Sequence, residues 1–275
     1  MACLRYLTLT EDAGEPPLVV RYDTWGDPAA ATLILVHELG GTLESFRPFA
    51  ELLADEFCVI AFDQRGAGLS EKPTRPFTLH ALAQDVGRVA DAAGVAQPFH
   101  LLGLAMGAVV AVQFAIAQLS RLRRLVLCDG TPVIDDGMRA YVLDRAAAVR
   151  MGGMYPVAQA SLKNSFRGLT EGEAVPAYLA YRDQYLSNPP EGYAMHSEGL
   201  AKMSVSDEEF ASVSCPTLVL TGRRRTEVLS MKAGNLSLDG DRTYYTYRGK
   251  GGKRGRRELP NPAVEAIKAA LAAFG

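Results

Sequence analysis

Short, unbroken apolar runs alternate along this chain with longer stretches in which apolar residues recur every three or four positions. The runs Thr32–His37, Phe57–Phe62, the opening of Phe99–Gly107, Arg124–Cys128 and Pro216–Thr221 lack the polar alternation of a half-exposed strand. They predict strands covered on both faces. Between them, Thr42 or Ser45 is placed to cap a helix carrying Phe49, Leu52 and Leu53 inward, and Thr78 a helix with Leu79, Leu82, Val86 and Val89 on one face. The run Ala108–Leu119 reads as a helix buried all round. Ahead of these, Leu4–Thr10 and Leu18–Asp23 flank Gly-Glu-Pro-Pro, the signature of a hairpin. Strands alternating with helices at this spacing predict right-handed βαβ units and an α/β fold with a mostly parallel sheet.

The texture changes from Val133 to about Asp207. Helical patterns there are broken by Gly152-Gly153, Gly168 and Asn188-Pro189-Pro190, and no strand pattern occurs. This predicts a helical cap over 133–207 inserted into a core made of 1–132 and 208–275. The strand pattern resumes at Pro216–Thr221 and at Thr243–Tyr247. A final helix, opened by Pro260 and Pro262, would turn Val264, Ile267, Leu271 and Phe274 inward.

Composition narrows the function classes. With 275 residues, 48% of them hydrophobic and 22% charged, the chain suits one large α/β domain with an insertion. A net charge of −2 points to neither nucleic acid nor a membrane surface. The first residues lack a basic stretch followed by a long apolar run, so a cytoplasmic protein is expected. The four cysteines, Cys3, Cys58, Cys128 and Cys215, lie far apart and fit reduced core residues better than a zinc site or a disulfide framework. No cofactor or metal ion is expected, and the partner is expected to be a small molecule.

The chemistry centres on Gly103-Leu-Ala-Met-Gly107, where strand passes into buried helix. A glycine two places either side of a central residue is the arrangement of a nucleophile elbow, in which small residues let strand and helix crowd together. The central residue here is Ala105, and a methyl group attacks nothing. With His37-Glu-Leu-Gly-Gly41, the loop Asp63-x-Arg-Gly-x-Gly-x-Ser70, Leu218-Val-Leu-Thr-Gly222 and Glu258-Leu-Pro260, these landmarks resemble the α/β-hydrolase fold family over nearly the whole chain. Within the cap, Asn188-Pro-Pro-Glu-Gly-Tyr-Ala194 resembles the 3-oxoadipate enol-lactonase branch.

The resemblance implies a Ser, acid, His triad in that order. Its positions here are taken by Ala105, Arg225 and Lys253, and no histidine follows His196. It also implies an oxyanion hole from the backbone N–H groups of Leu39 and Met106, with Glu38 standing where the family usually has glycine. Several side chains are candidates beside these. His37 reads as a base or as a loop residue bonded to backbone, and Glu38 as an acid/base group or a solvated charge. Asp129 sits at a strand end that some family members use for the acid, and His196 lies on a cap helix over the pocket. Cys128 reads as a buried, inert thiol. The runs Arg223-Arg224-Arg225 and Arg248–Arg257 follow the last two strand patterns and cover both vacated triad positions. As loops at the ligand-binding edge of the sheet they would make an electropositive mouth for an anion. Three readings stay open. One is a triad-less member of the fold that binds a small anion. Another is a hydrolase or lyase working through Lys253, Glu38, His37 or Asp129. The third is an active hydrolase inactivated by substitution.

Overall fold

The computed structural model describes residues 5–9, 17–130, 134–166 and 176–220, together with the strands at 236–239, 242–248 and 254–259. A seven-stranded sheet is built from β1 (Arg5–Leu9), β2 (Leu18–Trp25), β3 (Ala31–Val36), β4 (Phe57–Phe62), β5 (Phe99–Leu104), β6 (Leu122–Cys128) and β7 (Thr217–Leu220), in the order β1-β2-β4-β3-β5-β6-β7. The β1–β2 and β2–β4 pairs are antiparallel, and β4 through β7 pair in parallel. Helices α1 (Arg47–Leu53), α2 (Leu79–Ala92) and α3 (Met106–Gln118) connect the parallel strands. The central runs read from the sequence are buried as expected: Ile34, Leu35 and Val36 on β3 and Leu101 on β5 are fully enclosed.

Local chemistry sets the helix starts. The Thr78 hydroxyl accepts from the Ala81 N–H at 3.1 Å and opens α2, whose Leu79, Leu82, Val86 and Val89 all face the core. The Thr42 hydroxyl instead accepts from Glu44 N–H at 3.2 Å and caps a single 3₁₀ turn, Leu43–Ser45, ahead of α1. In α1 the expected inward face is corrected. Ala50 is buried, while Leu52 is 79% exposed. At 100° per residue Leu52 lies a quarter turn away from the stripe that Phe46, Phe49, Ala50 and Leu53 share.

Between β6 and β7 lie five helices and no strand among the described residues: α4 (Asp136–Gly152), α5 (Tyr155–Ser165), α6 (Pro176–Leu186), α7 (Pro190–Ala201) and α8 (Asp207–Ala211). A second core of Ala146, Val149, Met154, Val157, Ala158, Tyr185, Tyr193 and Ala194 holds α4 to α7 together and touches Leu39 of the main body. The C-terminal expectation needs correcting. The strand read at Thr243–Tyr247 is β9 (Arg242–Arg248), but it pairs antiparallel with β8 (Leu236–Asp239) and β10 (Arg254–Leu259) in a separate three-stranded sheet. Arg254–Arg257 are therefore strand residues rather than part of a loop. The connections between these strands are far too short for the crossover a parallel pair needs, so hairpins are the available solution. The helix read after Pro260 lies outside the described residues. No helix among the described residues is long and apolar enough to cross a membrane.

Candidate anion site at the elbow

The turn from β5 into α3 has the backbone of a nucleophile elbow. Ala105 sits at φ 51°, ψ −111° as the residue before α3, with its N–H bonded to the Cys128 carbonyl at 2.7 Å. Positive φ crowds any β-carbon and costs about 1–3 kcal/mol in a non-glycine residue. The two flanking glycines make the turn possible. A β-carbon on Gly103 would overlap the Gly107 carbonyl, and one on Gly107 would overlap the Val36 carbonyl on the neighbouring strand. Ala105 is half-buried, and its side chain is a methyl group. The elbow is thus assembled at a cost in strain, around a residue with no nucleophilic atom.

The N–H of Met106 opens α3 and has no intrahelical acceptor. The N–H of Leu39 belongs to the turn after β3. Among the described residues neither N–H is hydrogen-bonded. His37, wholly buried, controls the peptide that carries the second of them. Its Nε2 accepts from the Gln64 N–H at 3.0 Å, so Nδ1 bears the proton and donates it to the Glu38 carbonyl at 2.8 Å. The Gly41 N–H reaches the same carbonyl at 2.9 Å. With the Glu38 C=O held in that direction, the Leu39 N–H of the same planar peptide points the opposite way. Both ring nitrogens of His37 are thereby used inside the loop.

Glu38 is buried, and its carboxylate is turned back onto its own turn. Oε1 accepts from the Ser45 hydroxyl at 3.0 Å, and a β-carbon on Gly41 would come within 2.6 Å of the carboxyl group. It is not a solvated loop charge. Across the sheet edge Asp129 is exposed at φ 53°, its N–H bonded to the Leu220 carbonyl at 2.6 Å. The neighbouring Cys128 thiol is pushed up to about 12 by burial and by the Asp129 charge, which leaves it protonated and unreactive at neutral pH. Arg223, Arg224, Arg225 and Lys253 lie outside the described residues. Among the described residues no group of three or more His, Cys, Asp or Glu is placed to hold a metal ion.

The Asp63–Ser70 loop is structural scaffolding. The Asp63 carboxylate is fully buried and accepts from the N–H groups of Leu43 and Leu69, each at 2.8 Å. Arg65 forms a two-pronged pair with Asp85, both bonds at 2.6 Å. His196 belongs to this layer. It is on α7, 2% exposed, edge-on to Phe77 at 5.0 Å and bonded to the Arg65 backbone. Burial, then the nearby His37, holds its ring pKa down at about 3, so it is neutral.

Sequence reasoning missed the residues that join the end of α6 to the loops after β3 and β4. The Asn188 side chain accepts from the Gly68 N–H at 3.0 Å and donates to the Gly40 carbonyl at 2.9 Å. Gln184 donates to the Thr42 hydroxyl at 3.1 Å and Tyr185 to the Leu39 carbonyl at 3.0 Å. The only available signal was Asn188 itself, a turn residue before two prolines. Nothing local tells which distant backbone it meets.

A family model described as alpha/beta hydrolase fold matches residues 31–156. The 3-oxoadipate enol-lactonase 2 of Acinetobacter baylyi is 27% identical over 208 residues, 74% of this chain and 75% of its own length. Among solved structures, the enol-lactonase from Burkholderia xenovorans LB400 superposes with a TM-score of 0.71 at 26% identity, covering 79% of this chain and 80% of that one. A malate-bound thermophilic esterase from Thermogutta terrifontis gives 0.69 at 30% identity, with 80% of each chain covered.

Proposed function

The chain belongs to the α/β-hydrolase fold family, and on that premise we propose that it binds a small, oxygen-rich anionic ligand above Ala105 without hydrolysing it through a covalent intermediate. The observation that carries this reading is the elbow. Its strained backbone is kept, yet it presents a methyl group where a nucleophile would have to stand. The N–H groups of Leu39 and Met106 support the anionic part. Two orphan donors, one at the positive end of a 13-residue helix, favour a carboxylate oxygen as they would an oxyanion. Strand β7 ends at Leu220, paired with Cys128 beside the elbow, and Arg223, Arg224 and Arg225 follow it in the sequence. Arginine can hold a carboxylate with two parallel hydrogen bonds.

The relatives favour a dicarboxylate skeleton. The enol-lactonases are named for 3-oxoadipate, and the esterase structure holds malate. Adipate is therefore the first ligand to try. The hydrolytic alternative has less support at the elbow. His37 spends both nitrogens on the loop, Glu38 is engaged with Ser45, and Cys128 stays protonated.

A serine-directed fluorophosphonate and an activated ester such as p-nitrophenyl acetate test the non-covalent claim together. Mass spectrometry is expected to find no adduct on the peptide containing Ala105, and stopped-flow traces no burst of nitrophenol. An oxyanion hole alone still supports slow turnover, about 10³ over water. A stoichiometric burst, or an adduct anywhere on the elbow, would overturn the reading.

A further inference from the structure

Arg145, on α4, is 7% exposed and has no carboxylate partner among the described residues. Its guanidinium donates instead to four neutral oxygens: the Tyr193 hydroxyl at 2.6 Å, the Tyr141 hydroxyl at 3.0 Å, the Val157 carbonyl at 3.2 Å and the Ser161 hydroxyl at 2.7 Å. Burying a cation among neutral groups is a costly way to hold helices together, since an apolar side chain of the same volume packs without the desolvation cost. The bonds beyond it show what the charge can do. Arginine only donates, so Ser161 must accept from it and pass its own proton onward to the Tyr185 hydroxyl, 3.1 Å away. Tyr185 in turn donates to the Leu39 carbonyl at 3.0 Å. Each link polarises the next, and the two ends fix the direction, since arginine can only donate and the Leu39 carbonyl can only accept.

The far end of the relay is the anion site. Leu39 lies between two peptide planes. His37 and the Gly41 N–H fix the first through the Glu38 carbonyl, and Tyr185 fixes the second through the Leu39 carbonyl. The first plane carries the Leu39 N–H and gives it its direction; the second, across the Leu39 α-carbon, ties the same residue to helix α6. Gly40, at φ 78°, lets the Tyr185 ring lie directly against this backbone, since a β-carbon there would stand 2.6 Å from the ring.

We propose that Tyr185, polarised by Arg145 through Ser161, is a positioning residue for the anion site: His37 gives the Leu39 N–H its direction, and the Tyr185 bond to the Leu39 carbonyl holds that residue in place only while helix α6 is seated on the loop. This rests on the reading of Leu39 and Met106 as an anion-binding pair. It adds that the cap steadies one donor of the pair and leaves the other alone.

Amide-resolved NMR on the ¹⁵N-labelled full chain separates the two claims, with acetate as the probe. In the wild type, acetate is expected to move the Leu39 and Met106 amide signals together. In Tyr185→Phe, exchange of the Leu39 amide with solvent should rise about tenfold before any acetate is added. Acetate should then bind about three- to tenfold more weakly, the loss expected for one net hydrogen bond. Met106 should still respond, and Leu39 much less. Ser161→Ala leaves Tyr185 in place and removes only the polarising link, so it should change Leu39 in the same sense by a smaller factor. It also serves should Tyr185→Phe not fold. A purely structural role for Tyr185 would disturb both amides or neither. Unchanged Leu39 exchange and wild-type acetate response in a folded variant overturns the proposal. Should acetate move neither amide in the wild type, the anion-site reading fails, and the exchange rates alone decide the positioning role.

Discussion

At the scale of single residues, Ala105 is the most informative position in the molecule. A positive φ at an alanine is strain, and a methyl group has no hydrogen bond with which to offset it. Ala105→Gly removes the β-carbon that suffers from it, and the lost strain should outweigh the extra entropy of an unfolded glycine, about 0.4–1 kcal/mol. The variant is expected to be more stable than wild type by about 1 kcal/mol. Urea unfolding followed by circular dichroism checks this through a raised midpoint at unchanged slope, and a lowered midpoint would mean the elbow is relaxed at alanine. This position was legible in the sequence because the crowding sits within five residues: Gly103 and Gly107 announce the close approach that the structure shows. The environment of Glu38 was not. Its carboxylate is accommodated by the missing side chain of Gly41 and bonded by Ser45 seven residues on, contacts created by the shape of the turn.

At the scale of elements, the packing of α7 on the Asp63–Ser70 loop shows how a buried titratable group records a contact. Gly192 lets the helix touch the Gly66 backbone, and one turn later His196 is enclosed against Arg65, Phe77 and the ring of His37. Folding holds the His196 ring neutral down to about pH 3, whereas an unfolded histidine protonates near 6.5. Between those values the unfolded chain binds the extra proton. Stability from this site is thus complete above about pH 6.5 and is lost progressively as pH falls toward 3. In His196→Gln, which cannot titrate, stability measured by denaturant melts should fall less steeply between pH 6.5 and 4. An identical slope in the two proteins would show that His196 is not enclosed as described. Helix α1 carries a plainer lesson: apolar composition suggested that Leu52 faces inward, but in a seven-residue helix one position of phase decides, and Leu52 is exposed.

At the scale of the whole molecule, the seven-stranded sheet was legible because strands buried on both faces leave continuous apolar runs, and because helical periods between them dictate parallel order. The hairpin β1–β2 followed from its turn residues. The C-terminal sheet was not legible. Thr243–Tyr247 was read correctly as a strand, but its partners depend on how few residues connect it to β8 and β10, and a basic, glycine-rich run looks like a loop whether or not it pairs. The proposed function joins these scales: a complete elbow with no nucleophile at Ala105, and two backbone donors that are unbonded among the described residues, would together hold an anion and leave it intact. Isothermal calorimetry with adipate and with dimethyl adipate tests that claim most directly, because the two differ in charge and little in skeleton. Adipate is expected to bind at one site per chain and to be recovered unchanged, with the neutral diester weaker by at least about thirtyfold, the low end of what a desolvated charge-assisted contact is worth, about 2–5 kcal/mol. Equal affinity for acid and ester, or binding of neither, would contradict the account.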